Sequence, residues 1–194
     1  MKLKSKTKMT VWQFLSLGYL AVIFLGSLLL TLPFATKDGQ STSYVNALFT
    51  STSATCVTGL VPYDTNTHWS LFGQVVIILL IQTGGLGFMT FVSVLFGMLK
   101  RNMGLYERKA FMQSAGEWKL SGIRRLIRRI FIGTGIFEGC GAILLSIRFI
   151  PDFGAAKGIY YAVWHSVSAF CNAGFDLMGG TFGGDTFVSF TRYA

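Results

Sequence analysis

The sequence is short of charge. Asp, Glu, Lys and Arg make up 13% of its 194 residues, where a soluble domain carries about 25%. With 52% hydrophobic residues and 18 Phe, that shortage excludes an ordinary soluble domain and points to an integral membrane protein. Proline is scarce too, at three against 23 Gly, a balance that suits packed membrane helices. The three cysteines, Cys56, Cys140 and Cys171, are an odd number without metal-type spacing, so neither a disulfide framework nor a zinc site is read from them. The patterns of enzyme chemistry are missing as well. There is no G-x-x-x-x-G-K-[ST] phosphate loop, and no carboxylate pair, metal cluster or nucleophile–base set stands out. His165 and Cys171 could suggest a nucleophile pair, but no third orienting group accompanies them. An enzyme and a bound cofactor are therefore not expected.

Acids are the scarcer charge, eight against 17 basic residues, for a net charge of +9. Distribution decides what this means. Lys2, Lys4, Lys6 and Lys8 form one basic cluster; Lys100, Arg101, Arg108, Lys109, Lys119, Arg124, Arg125, Arg128 and Arg129 form another. Both flank apolar segments, as the positive-inside rule has it. Asp38, Asp64, Asp152, Asp176 and Asp185 fall in the opposite set of loops. A nucleic-acid groove is disfavoured, because no recognised fold motif accompanies the charge.

Taken in order, a basic cytoplasmic tail over residues 1–10 leads into a charge-free run from Val11 to about Pro33, long enough to span a bilayer. The run exceeds a signal peptide's apolar core of about 7–15 residues. Ser41, Thr42 or Ser43 can cap a second helix reaching about Thr55. At roughly 20 Å that helix is too short to cross and is expected to dip in and return as an extended strand. His68-Trp69 opens the next span, with Trp69 suited to the interface, and Leu71 to Leu99 carries no charge. Its Gln82-Thr-Gly-Gly-Leu-Gly87 glycines allow close packing, the default, or a hinge. Residues 100–129 form an inner connection whose basic amphipathic part, Leu120–Ile130, suits lipid headgroups better than a cytosolic partner. Ile130–Ile150 is the third span, ended by Pro151-Asp152. Glu138 lies inside it. A carboxylate there is costly and normally faces a partner within the protein; structural hydrogen bonding is favoured over a role on an ion pathway. Ala155–Phe170 is a second short helix, and the glycines from Gly179 to Gly184 form a loose external segment.

Two stretches stand out against this background. Phe49–Leu60 is small, hydroxyl-rich and uncharged, and His165–Phe175 repeats it. Aligned on the cysteines, Ser51, Ser53, Ala54, Cys56 and Gly59 fall on Ser166, Ser168, Ala169, Cys171 and Gly174, which reads as an internal repeat. Each copy is read as a short helix running into a strand that selects ions. Non-helical backbone at membrane depth is tolerated only when buried in protein or lining a watery cavity. Rings of backbone carbonyls replace a cation's water in such filters. Gly59 and Gly174 permit the φ/ψ this needs, and the negative end of each short helix favours a cation. Cys56 and Cys171 are expected as small packing residues buried behind the strand.

Thr55-Cys56-Val57-Thr58-Gly59-Leu60 and Ser168-Ala169-Phe170-Cys171-Asn172-Ala173-Gly174-Phe175-Asp176 resemble the first two filter loops of the Trk/Ktr/HKT superfamily of potassium transporters. Gln82–Phe88 and Gly104–Gln113 resemble its bacterial Ktr-type membrane subunit. The resemblance runs over nearly the whole chain. It implies an all-α integral membrane fold of potassium-channel type, in which span, re-entrant pore loop and span repeat four times around one pore. Residues 1–99 would be one complete repeat, 100–129 a cytoplasmic connection, and 130–194 the first span and pore loop of a second. The chain would thus be the N-terminal part of a transporter, a fragment or a piece that assembles with others.

The resemblance implies potassium uptake across the plasma membrane, with the N-terminus and residues 100–129 inside and the pore loops facing outside. Thr55 to Gly59 and Phe170 to Gly174 (Phe170, Cys171, Asn172, Ala173 and Gly174) would be the filter, with no metal beyond the transported potassium and with sodium as a candidate coupling ion. In plant relatives a Ser at the first glycine goes with sodium preference, so Gly59 favours potassium. A cytoplasmic nucleotide-binding regulatory subunit and a homodimer of the complete transporter are the implied partners, besides the bilayer. A sodium-conducting member of the same superfamily and a non-conducting scaffold subunit are the rival readings.

Overall fold

The computed structural model describes residues 11–87 and 123–181. The basic tail, the far part of the expected Leu71–Leu99 span, most of the inner connection and the end of the glycine-rich segment lie outside the described residues. The described part is mostly helical, with no named strand and a single antiparallel bridge between Thr36 and Trp69. The elements are α1 (Val11–Thr31), a 3-10 turn (Pro33–Ala35), α2 (Tyr44–Cys56), α3 (Thr65–His68), α4 (Leu71–Gly85), α5 (Ile123–Phe153) and α6 (Ala155–Phe170). The helices pack as two pairs, α1 with α2 and α5 with α6, and α4 touches α1, α2 and α6.

Local chemistry sets the boundaries. Pro33 opens the 3-10 turn beyond α1, as a residue without an N–H can. Ser43 stands at the N-cap of α2 without a side-chain bond, so hydroxyl capping, expected of Ser41 to Ser43, does not occur there. Thr42 instead pairs with the His68 ring at 3.0 Å. Asp64 caps α3 by accepting from the N–H groups of Asn66 and Thr67, and Ser70 caps α4. Helix α4 therefore starts at Leu71, not at the His68-Trp69 expected to open it. Trp69 is buried against α4. Pro151 does not end α5: it rides in the last turn, and the chain breaks at Gly154, whose N–H donates to the Ile150 carbonyl at 2.9 Å.

The exterior is apolar. Leu20, Phe24 and Leu28 on α1, and Ile132, Ile136, Ile143 and Ile147 on α5, are all exposed; a soluble monomer rarely shows such stripes. Among the described residues, Arg128–Phe153 is the one helical segment long and apolar enough to cross a membrane, and Leu15–Thr31 and Leu71–Gly85 are shorter apolar helices. At 26 residues the first is about 39 Å long, against a hydrocarbon core of about 30 Å. This mostly helical architecture with an apolar outside is that of an all-α membrane protein.

Candidate functional site

The two helix–loop stretches meet. Gly59 and Gly174 have φ of 75° and 72°, a region that a side chain disfavours. A Cβ on Gly59 would stand 2.9 Å from the Ala173 carbonyl oxygen and 3.3 Å from the Gly174 Cα. One on Gly174 would stand 3.1 Å from the Gly59 Cα. Both glycines are therefore required twice, by conformation and by the closeness of the opposite loop.

The same bonds build both stretches, each residue of the second standing 115 positions after its counterpart, as Cys171 does after Cys56. The Thr58 N–H returns to the Ser53 carbonyl at 3.0 Å, and the Ala173 N–H to the Ser168 carbonyl at 2.8 Å. Val57 and Asn172 turn the chain in the left-handed region, with φ of 57° and 56°. The Ser51 hydroxyl donates to the Ile23 carbonyl on α1 at 2.7 Å, and the Ser166 hydroxyl to the Glu138 carbonyl on α5 at 2.6 Å. Gly26 and Gly141 lie beside those hydroxyls. Ser51, Ser53, Ser166 and Ser168 emerge as the residues that hold the loops. Their identity across the two stretches was the sequence signal for them.

Two expectations change here. Neither loop forms a strand: after its helix each makes a left-handed turn and continues unpaired. Charge-free, glycine-bearing residues bonded back onto their own helix leave no ladder to join. Cys56 is exposed and Cys171 only partly covered, so neither is a fully buried packing residue. Thr55 is buried, Val57 and Gly59 are half-buried, and Thr58 is exposed. In the second stretch Ala173 is buried, while Phe170, Asn172 and Gly174 are exposed.

Helix α4 wedges its end between the two stretches. Gly84 lies against the Thr55 carbonyl and Gly85 against Cys171, so these glycines serve close packing. One turn earlier, the Gln82 Nε2 donates to the Glu138 Oε1 at 2.8 Å, and the Gln82 Oε1 accepts from the Cys171 Sγ at 3.6 Å. Glu138 thus has a partner from α4 that sequence spacing did not reveal.

His165 does not pair with Cys171. Its Nε2 accepts the Leu177 N–H at 3.0 Å, and its Nδ1 bonds the Tyr161 carbonyl at 2.7 Å. The Ser168 hydroxyl donates to the Phe175 carbonyl at 2.6 Å. Leu177 and Met178 are buried, and the Asn66 Nδ2 donates to the Gly179 carbonyl at 2.7 Å, so Leu177–Gly179 is packed rather than loose.

Above the loops, the halves are tied by Gln74, which accepts from the Tyr160 hydroxyl at 2.9 Å, and by Asn66, which accepts from the Tyr161 hydroxyl at 3.1 Å. Burial holds the His68 imidazole below its ordinary value of 6.5, with Asp38 pulling the other way. Burial raises the Asp176 carboxyl, the Met178 N–H bonded to it lowers it, and Asp64 raises it. Among the described residues no group of His, Cys, Asp and Glu could hold a metal ion.

What such a constellation offers a ligand is backbone oxygens, hydroxyls and helix ends. The C-termini of α2 and α6 both lead into the Gly59–Gly174 contact, and the aligned peptide dipoles of each helix leave partial negative charge at that end.

A family model described as TrkH, cation transport protein, matches residues 5–192. The chain is similar to the potassium/sodium uptake protein NtpJ of Enterococcus hirae, with 41% identity over 92% of the chain and 40% of that relative. It is also similar to the Ktr system potassium uptake protein B of Bacillus subtilis, 41% identical over 85% of the chain and 37% of the relative. The protein of the same name from Vibrio alginolyticus is 39% identical over 90% of the chain and 39% of the relative. The chain spans about two fifths of the length of these relatives.

Proposed function

This chain belongs to the TrkH family of cation transport proteins, the Trk/Ktr group, and from that premise we propose that it supplies two filter loops of a plasma-membrane potassium uptake path. The chain is a transport protein, not an enzyme. In the proposal, α1 and α4 are the spans of one repeat, α5 is the first span of the next, and α2 and α6 are re-entrant helices. The stretches Thr55–Gly59 and Phe170–Gly174 line part of the pore with carbonyls.

The observation that carries this reading is the contact of Gly59 with Ala173 and Gly174. Two loops, far apart in sequence, are built by matching bonds and converge on positive-φ glycines at the negative ends of two helices. A bare cation needs several oxygen ligands in place of its water, and carbonyl rings provide them. The remaining loops would come from the three fifths of the relatives' length that this sequence does not match. The N-terminus and residues 100–129 face the cytoplasm in this scheme, where a nucleotide-binding regulatory subunit would dock, and the complete transporter would pair as a homodimer. Sodium is the candidate coupling ion.

The complete coding frame, expressed in cells lacking potassium uptake, tests the reading. Growth at low potassium and rubidium flux are expected, with rubidium favoured over sodium. In Gly59→Ser the left-handed residue costs about 1–2 kcal/mol, which pushes the loop out of its path, and rubidium-over-sodium selectivity is expected to fall. Unchanged selectivity would remove Gly59 from the filter. Sodium flux exceeding rubidium in the wild type would make the protein a sodium path, and no flux at all a scaffold.

A further inference from the structure

Resting on the filter reading above, we propose that Glu138 is a positioning residue for the second filter loop, holding Cys171 through Gln82. The chain of bonds runs from α5 across α4 to the end of α6: carboxylate to amide at 2.8 Å, amide to thiol at 3.6 Å. Its polarity is fixed. The Gln82 Nε2 donates to the Glu138 Oε1, which leaves the Gln82 Oε1 to accept from the thiol. Cys171 is the C-cap of α6. Asn172, in its left-handed turn, follows at once, and Gly174 stands two residues further on. Whatever fixes Cys171 therefore fixes the start of the loop.

The first half of the molecule shows that packing alone does not demand the carboxylate. Ile23 occupies the place of Glu138, and its carbonyl accepts the Ser51 hydroxyl as the Glu138 carbonyl accepts that of Ser166. The joint between span and loop helix is thus complete with an apolar side chain. The cysteine matching Cys171 is the exposed Cys56. A carboxylate in a span is costly and seldom kept without a task; here its reach ends on a filter residue. Gly85 leaves the space in which Cys171 approaches α4, so the relay and the close packing belong to one design.

The test is rubidium and sodium flux through the full-length transporter in proteoliposomes. Glu138→Ala removes the acceptor and is expected to lower the rubidium-to-sodium ratio about fivefold, the size of one hydrogen bond. Glu138→Gln keeps an oxygen for Gln82 and should hold the ratio within about twofold, by the same measure. Ile23→Ala, the same truncation in the first half, should leave the ratio alone. If Glu138→Ala fails to assemble, Gln82→Leu breaks the relay at its centre and should give the same loss. A wild-type ratio in either broken variant, or an equal loss in Glu138→Ala and Glu138→Gln, overturns the proposal while the filter reading stands. A wild type that carries no rubidium overturns both.

Discussion

In the first helix–loop stretch Ser53 meets the Thr58 hydroxyl at 2.8 Å; in the second, Ser168 reaches the Phe175 carbonyl at 2.6 Å. The backbone bond from loop to helix is the same in both, yet the side chains that finish the job differ. The first loop is held by hydroxyls and by the Asn46 amide, which donates to the Tyr63 hydroxyl at 2.7 Å. Its outer residue Leu60 is 60% exposed. The second loop is clamped by a histidine and by buried Phe175, Leu177 and Met178. Two loops with one backbone path thus differ in how firmly they are held. The backbone bonds are shared by the two loops, and the side-chain contacts around them are not.

The largest expected effect tests the shared part. Gly174→Ser should lower rubidium-over-sodium selectivity as Gly59→Ser does, since both need a positive φ costing about 1–2 kcal/mol in a serine. Gly59→Ser should be the more severe, because its Cβ meets a backbone oxygen at 2.9 Å, which cannot swing aside. Flux assays that find Gly174→Ser the worse would break the proposed equivalence of the loops.

The next effect tests the unshared part. His165→Ala leaves the Leu177 N–H buried without its acceptor, at about 1–3 kcal/mol. Thr50 is its counterpart, and its hydroxyl bonds the Asn46 carbonyl one turn back at 2.9 Å. Thr50→Ala strands no buried donor, so it should cost under about 1 kcal/mol. Thermal unfolding of the detergent-solubilised transporter compares them, and equal losses would mean that His165 is no clamp.

Ser51→Ala and Ser166→Ala sharpen the comparison further. Each removes one hydroxyl bond, to α1 or to α5, worth about 1 kcal/mol, and the two should be equal within error in the same unfolding assay. A marked inequality would show that the two joints are alike in geometry only.

Much of this was legible in the sequence, for physical reasons. Val11–Thr31 follows from a charge-free apolar run stopped near Pro33, and Ala155–Phe170 is read at its observed bounds, although the break before it falls at Gly154 and not at Pro151-Asp152. The pairing of the two stretches follows from serines, alanine, cysteine and glycine at fixed offsets, since those small residues are what close contacts require. What was hidden depends on contacts between distant residues. Gln82 lies 56 positions from Glu138 and 89 from Cys171, and no local pattern links them. His165 was visible as a residue but not as an acceptor, because its donor is a backbone N–H twelve residues on. The expected strands failed because each loop bonds back onto its own helix, and Cys56 stayed outside because α4 leans its Gly85 on Cys171 alone.

The smallest effect separates the outer ends of the two loops by pH. His68, beside the first, is held below its ordinary value of 6.5 by burial, so the fold favours the neutral ring. Its contribution is complete above 6.5 and is lost as pH falls from there through the lowered folded value. Asp176, just after the second loop, is raised above its ordinary value of 3.8, so the fold favours the protonated carboxyl. Its contribution is complete below 3.8 and is lost as pH rises through the raised folded value. The two ends therefore respond in opposite directions. Unfolding temperatures measured from about pH 8 down to about pH 5, where histidine titrates, should fall in the wild type and fall less in His68→Gln. Asp176→Asn should leave that slope in place and remove any recovery at the acid end. The amplitude is small because His68 is only half-buried and its charge is partly screened. An identical slope in His68→Gln would assign the pH response to another group and leave the two outer ends indistinguishable.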